Sequence, residues 1–143
     1  MSRSFQVTFD ALDTAALAAF WGEALGYVPQ PPPDGFDSWD AFADAVGIPE
    51  EDRDQLASVV DPDGGGPRIL IQKVPEPKTA KNRCHLDIVV TDRSMESAER
   101  KAAIEAEAER LVALGATRGE SFDEAIGTWT VMHDPEGNEF CLH

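Results

Sequence analysis

Apolar and polar residues alternate with a period of two through several short stretches of this chain, and these alternate with two longer stretches of helical spacing. Phe5, Val7 and Phe9 set against Gln6, Thr8 and Asp10 predict a half-buried strand. Leu17, Phe20, Trp21, Ala24 and Leu25 then fall on one stripe and predict a helix over 14–25, capped by Asp13 and ended by Gly26. Tyr27-Val28 begins a short strand that Pro29 and the run Pro31-Pro32-Pro33 terminate. Leu56 to Val60 and Arg68 to Val74 read as strands, the second with Ile69 and Ile71 opposite Leu70, Gln72 and Val74.

The second half repeats this plan. Arg83 to Asp92 predicts a strand with Leu86, Ile88 and Val90 on one face and His85 and Asp87 on the other. A helix follows over about 95–114, with Ile104, Ala108, Leu111 and Val112 as its apolar stripe and Gly115 just past its end. Ala116 to Phe122 is a weakly patterned strand. Thr128 to His133 is a stronger one, placing Trp129, Val131 and His133 together, and Asn138 to His143 is the last. Shifting Cys84-His85-Leu86-Asp87-Ile88 back by 79 positions overlays it on Phe5-Gln6-Val7-Thr8-Phe9, with Asp92 on Asp13. Each half therefore reads β-α-β-β-β. We expect one α+β domain over 1–143, with a first module at 4–75, a linker at 75–82 and a second module at 83–143.

The first module carries an acidic insert at 31–55 with Phe36, Trp39 and Phe42. Ser38 is placed to cap a short helix over Trp39 to Val46, ended by Gly47, with another turn near Pro49. Two readings stand side by side: a solvated excursion packed on the sheet edge, or a lid whose Phe36 or Trp39 covers a ligand. The glycines of Asp61-Pro62-Asp63-Gly64-Gly65-Gly66 lack the lysine and following helix of a phosphate loop, so they read as a turn.

Charge narrows the partners. With 27 acidic and 12 basic residues the chain carries a net charge of −15, a field that repels nucleic acid and anionic membranes. No apolar run approaches the ~20 residues of a membrane span, and no signal peptide is evident. Two cysteines, Cys84 and Cys141, make no disulfide framework, and the strand phases put them on opposite faces. A reduced cytoplasmic protein is the expectation.

Several motifs in combination carry a family resemblance. They are Trp39 in the insert, Asp61-Pro62-Asp63-Gly64, Val74-Pro75-Glu76-Pro77-Lys78, Asn82-Arg83-Cys84-His85-Leu86-Asp87 and Asp134-Pro135-Glu136-Gly137-Asn138-Glu139-Phe140. With the two βαβββ modules, they resemble the vicinal oxygen chelate superfamily of glyoxalase I, extradiol dioxygenases, fosfomycin-resistance proteins and bleomycin-binding proteins, and within it the actinobacterial glyoxalase-like proteins. The resemblance implies a curved mixed sheet with ligands on its concave face, helices on its convex face, and a homodimer. Metal-dependent members take ligands from the first and last strand of each module. Those positions fall here on Gln6, Gln72, His85 and Cys141, with Glu139 one pleat away on the face of Cys141.

That set disfavours a tightly held divalent metal, because two neutral amides and a thiol stand where imidazole and carboxylate are needed. No cofactor is therefore expected. The ligand cup is expected to be lined by Gln6, Thr8, Trp39, Gln72, Asp87, Trp129 and Cys141, with His85 or Glu139 as acid/base. His85 and Asp87 are about 6.6 Å apart along the strand, so they read either as a base with its orienting carboxylate or as a polar pair that need not bond. Trp129 suits a pocket wall or a core equally, and His133 and His143 are expected to be exposed. Three functions follow: an enzyme of lyase or isomerase type acting on a small carbonyl metabolite, a binder that sequesters a cationic compound, or a metal-dependent lyase or dioxygenase.

Overall fold

The computed structural model describes residues 2–143, which form two compact units. The first ends at Pro77 and the second begins at Lys78, inside the proline-rich stretch read as a linker.

In the first unit, β1 (Gln6–Ala11) leads through α1 (Thr14–Leu25) to β2 (Val28–Pro29), α2 (Trp39–Val46), β3 (Leu56–Val60) and β4 (Arg68–Lys73). The sheet runs β1-β4-β3-β2, with β1 and β4 parallel and the other pairs antiparallel. Alternation sets its two faces. Val59, Ile69 and Ile71 are buried with Leu17 and Trp21 of α1, and Phe9 stacks on Trp21 at 5.3 Å between ring centroids. Burial of each such side chain is worth about 1.5–3 kcal/mol, which is what fixes α1 on this face. Both helices of the unit stop where the sequence says. The Asp13 carboxylate accepts from the Ala16 amide at 2.9 Å and Ser38 Oγ from the Ala41 amide at 3.0 Å, while Gly26 and Gly47 adopt left-handed backbone.

The second unit contains β5 (Asp87–Ile88), α3 (Ser97–Ala113), β6 (Thr117–Glu124), β7 (Gly127–His133) and β8 (Glu139–Leu142), ordered β5-β8-β7-β6. Again the outer parallel pair is first with last, β5 with β8. Ile104, Ala108 and Leu111 of α3 are buried along with Met132, Phe140 and Leu142. Val112 is 46% exposed and does not belong to the stripe, since one residue past Leu111 turns it some 100° away. The strand expected over 83–92 is regular only at Asp87–Ile88, because β8 offers it just four residues. Around that core the Cys141 amide donates to the Leu86 carbonyl, and the Val90 and Thr91 amides both donate to the His143 carbonyl.

Together the described residues make two open four-stranded mixed sheets and three α-helices, an α+β arrangement of two βαβββ units. No helix among them is long and apolar enough to cross a membrane.

Candidate functional site

On the second unit, the face of the sheet turned away from α3 gathers the ionisable groups. Strand pairing places Asp87 beside Cys141, and Cys141 beside Val131 on β7. His85 lies two residues before Asp87 on the same side, and its Nδ1 sits 2.8 Å from Asp87 Oδ1. The backbone separation that made a bond optional is bridged by the reach of the two side chains. His85, Asp87 and Cys141 each present a ligand-type atom within 4.8 Å of the others. The Cys141 thiol is also hydrogen-bonded to Asp87. Burial first, and the Asp87 charge next, push its pKa up, so it stays protonated near neutrality. Asp87 thereby holds the imidazole through Nδ1–H, and Nε2 is left with its lone pair.

Glu139 belongs to a separate arrangement. Its carboxylate accepts from the Asn82 amide at 2.9 Å and pairs with Lys78 Nζ at 3.1 Å. Those backbone and lysine contacts hold its pKa down to about 2, so it remains a carboxylate under all ordinary conditions. Trp129 stacks on Phe122 at 5.1 Å, its cross-strand neighbour on β6. His133 is half-buried rather than exposed, since it stands on the same face opposite Glu139 in mid-sheet; His143 is exposed.

The first unit distributes its candidates differently. Gln6 pairs in register with Arg68, not with Gln72, and its Oε1 accepts from Arg68 Nη1 at 2.8 Å while its Nε2 donates to Thr8 Oγ1 at 3.2 Å. Gln72 instead donates to Asp10 at 2.7 Å, four positions further along. Trp39 lies in the insert, where it lines a cavity of about 770 Å³ beneath α2 and against β3. The insert is fastened rather than loose. Trp39 Nε1 donates to the Gln30 carbonyl at 2.7 Å, Thr14 Oγ1 donates to the Asp54 carbonyl at 2.8 Å, and Lys73 pairs with the Asp54 side chain.

A family model described as a glyoxalase-like domain matches residues 6–143. The chain belongs to this glyoxalase-like family. Solved structures of low identity share its fold. A glyoxalase/bleomycin resistance protein/dioxygenase family enzyme from Burkholderia phytofirmans PsJN is 16% identical with a TM-score of 0.63, over 96% of this chain and 94% of that one. Fosfomycin resistance protein FosX from Mesorhizobium loti is 14% identical with a TM-score of 0.63, over 100% and 91%. The bleomycin-binding protein from Streptomyces verticillus, solved with copper(II)-bleomycin, is 16% identical with a TM-score of 0.54, over 99% and 95%. No curated protein sequence matches the chain. The glyoxalase-like chain thus shares its fold with the glyoxalase/bleomycin resistance/dioxygenase proteins that its motifs suggest.

The shared fold raises the question of how these donors suit a divalent metal. His85 keeps Nε2 uncommitted while its Nδ1 and Asp87 are engaged with each other, and burial and the Asp87 charge push the Cys141 thiol away from ionising. Both Glu139 oxygens are held by Lys78 and one also by the Asn82 amide, while Gln6 faces a guanidinium. A tight site needs deprotonated, uncommitted ligands. One free imidazole nitrogen beside a thiol and an already bonded carboxylate is a poor match to that requirement.

Sequence reasoning overlooked Arg68, Gln30, Lys78 and Asn82. Arg68 shares the strand phase of Leu70 and Gln72, a signal that would have put it on the polar face. Lys78 stands in the one locally basic stretch. Gln30 carried no signal.

Proposed function

We propose that this glyoxalase-like protein binds a small organic molecule on the sheet face around His85 and moves a proton on it, as a lyase or isomerase, without a tightly held metal. The observation that carries this reading is the 2.8 Å contact from Asp87 to His85 Nδ1. It sets the tautomer and leaves Nε2 as a base, on side chains that are 45% and 46% exposed and thus open to a ligand. The step is abstraction of a proton from carbon beside a carbonyl by Nε2, followed by its return at a neighbouring atom, so protons balance without a redox partner. Glu139, with its pKa at about 2, is a poor proton carrier and contributes a fixed charge instead. Trp129 and Val131 supply the apolar wall such a molecule needs.

The test uses chelator-treated protein with 2-oxo-aldehydes and their thiol adducts, beside cationic natural products. Turnover of a carbonyl substrate is expected, falling by about 10²–10⁴-fold in His85→Gln, with the thermal shift on ligand addition retained. Activity that returns only with stoichiometric metal would overturn the proposal. Stabilisation by a cationic compound, with none of the substrates turned over, would replace catalysis by sequestration.

A further inference from the structure

The cavity of the first unit shares no residue with the His85 site, and one of its walls carries a half-buried guanidinium held by neutral amides. Among the described residues, three of the eight arginines form an ion pair with a carboxylate. Arg53 pairs with Asp40 and Asp44, Arg110 with Glu107, and Arg118 with Glu105. Arg68 is half-buried and lines the cavity, yet its partners are neutral amide oxygens: Gln30 Oε1 at 2.5 Å and Gln6 Oε1 at 2.8 Å. Among the described residues it meets no carboxylate, and its Nη2 and the Nε2 of Gln30 have no partner.

Gln30 is the joint of this wall. Its Oε1 also accepts from Ser58 at 2.8 Å, and its carbonyl holds the Trp39 indole. Guanidinium, amide and aromatic roof are therefore fixed to one residue before any ligand arrives. Over them, Trp39 meets Phe42 edge to face at 5.8 Å, and Leu56 is 60% exposed toward open space despite its apolar side chain. The volume of about 770 Å³ lies within the range of small-molecule sites. Acidic lining residues stand on the other walls: Asp40 is neutralised by Arg53, Glu23 is on α1 and Asp52 is on the insert. At physiological salt the field of the distant charges is screened beyond about 8 Å, so the lining groups set the local charge, and among the described residues Arg68 is the lining cation with no carboxylate in ion-pair contact.

We infer that this cavity binds an apolar monocarboxylate, its anionic head on Arg68 and Gln30 and its flat or acyl body beneath Trp39 and Phe42. Arg68 supplies charge and paired donors, Gln30 Nε2 a further donor, and the insert the apolar roof.

Calorimetry with 2-naphthoate and its neutral isostere 2-naphthamide tests this on the full chain, with the Trp39 indole N–H resonance reporting position. The carboxylate is expected to bind about tenfold or more tightly than the amide, as a charge-assisted bond implies, and to shift the Trp39 signal. Arg68→Gln should erase that preference, weakening the carboxylate far more than the amide, Arg68→Lys should keep part of it, and Trp39→Ala should weaken both ligands. Equal affinity for the two compounds in the wild-type protein, no binding of naphthoate at millimolar concentration, or a preference that survives Arg68→Gln would each overturn the assignment. Should Arg68→Gln fail to fold, the wild-type comparison decides by itself.

Discussion

In the first unit the parallel pair β1–β4 sets Gln6 beside Arg68, whereas in the second the matching pair β5–β8 sets Asp87 beside Cys141. An offset of 79 residues carries Gln6 onto His85 and Thr8 onto Asp87. One copy is therefore a neutral amide holding a cation, the other an imidazole held by an anion. The shared parts are those that bury apolar area: an N-capped or boxed helix, a parallel first-and-last strand pair, and an Asp-Pro turn before the last strand. Apart from the insert that carries α2, the divergent residues at these twin positions lie on the polar face, where no core contact constrains them. A duplicated fold can thus keep its energetics and acquire two chemistries.

The largest expected break in the comparison comes at the twin positions Asp87 and Thr8. Asp87→Asn keeps shape but removes the charge that supports a protonated imidazole, and turnover should fall about 10²-fold or more. Thr8→Val, at the equivalent place, should leave turnover where it was. Steady-state rates on whichever substrate responds in the chelator-treated assay read both, and equal losses would mean that the two faces serve one reaction alike.

The two Asp-Pro turns come next. Asp134 is 3% exposed, and its carboxylate accepts from the Glu136 and Asn138 amides and from the Asn138 side chain. Asp61 gathers a similar set, the Asp63, Gly65 and Gly66 amides, but nearer to solvent. Those backbone bonds hold its pKa below the usual carboxylate range. Removing a buried acceptor strands its donors away from water, so Asp134→Ala should cost about 2–3 kcal/mol in urea denaturation. Asp61→Ala should cost less, because water replaces the carboxylate. Matching losses would show that depth does not separate the turns.

Local rules made much of this fold legible. Asp13 with Gly26 and Ser38 with Gly47 bracket their helices because a cap acts within four residues, and a sequence displays that spacing directly. Alternation likewise put His85 and Asp87 on one face. It could not reveal their bond, because two side chains of different length decide whether a two-residue step is bridged. The remaining site contacts are long-range: Gln30 and Gln6 reach Arg68 across 38 and 62 residues, and Asn82 reaches Glu139 across 57. No periodicity encodes such a partner. The strand order β1-β4-β3-β2 puts β1 beside β4, and the parallel register decides that Gln6 meets Arg68 rather than Gln72.

Glu139 and Arg68 sharpen the comparison on a smaller scale, because each sits on the last strand of its unit and meets partners of opposite kind. The Asn82 amide and Lys78 draw the Glu139 pKa from its ordinary 4.5 to about 2. The folded protein then binds fewer protons than the unfolded chain between those values, so stability rises with pH across the window. The contribution is complete above about 4.5 and is lost as pH falls toward about 2. A shift of this size corresponds to roughly 3 kcal/mol, and the partial solvation of the pair, with the Glu139 side chain 17% exposed, reduces the expected value to about 1–2 kcal/mol. Glu139→Gln should flatten that part of the stability–pH curve, measured by urea denaturation from pH 5 to pH 2.5. Arg68→Gln should leave its slope alone, because Arg68 is no part of the Lys78–Glu139–Asn82 cluster. If Glu139→Gln leaves the slope intact, the acid sensitivity belongs to other carboxylates, and the Lys78–Glu139–Asn82 cluster positions the chain without stabilising it.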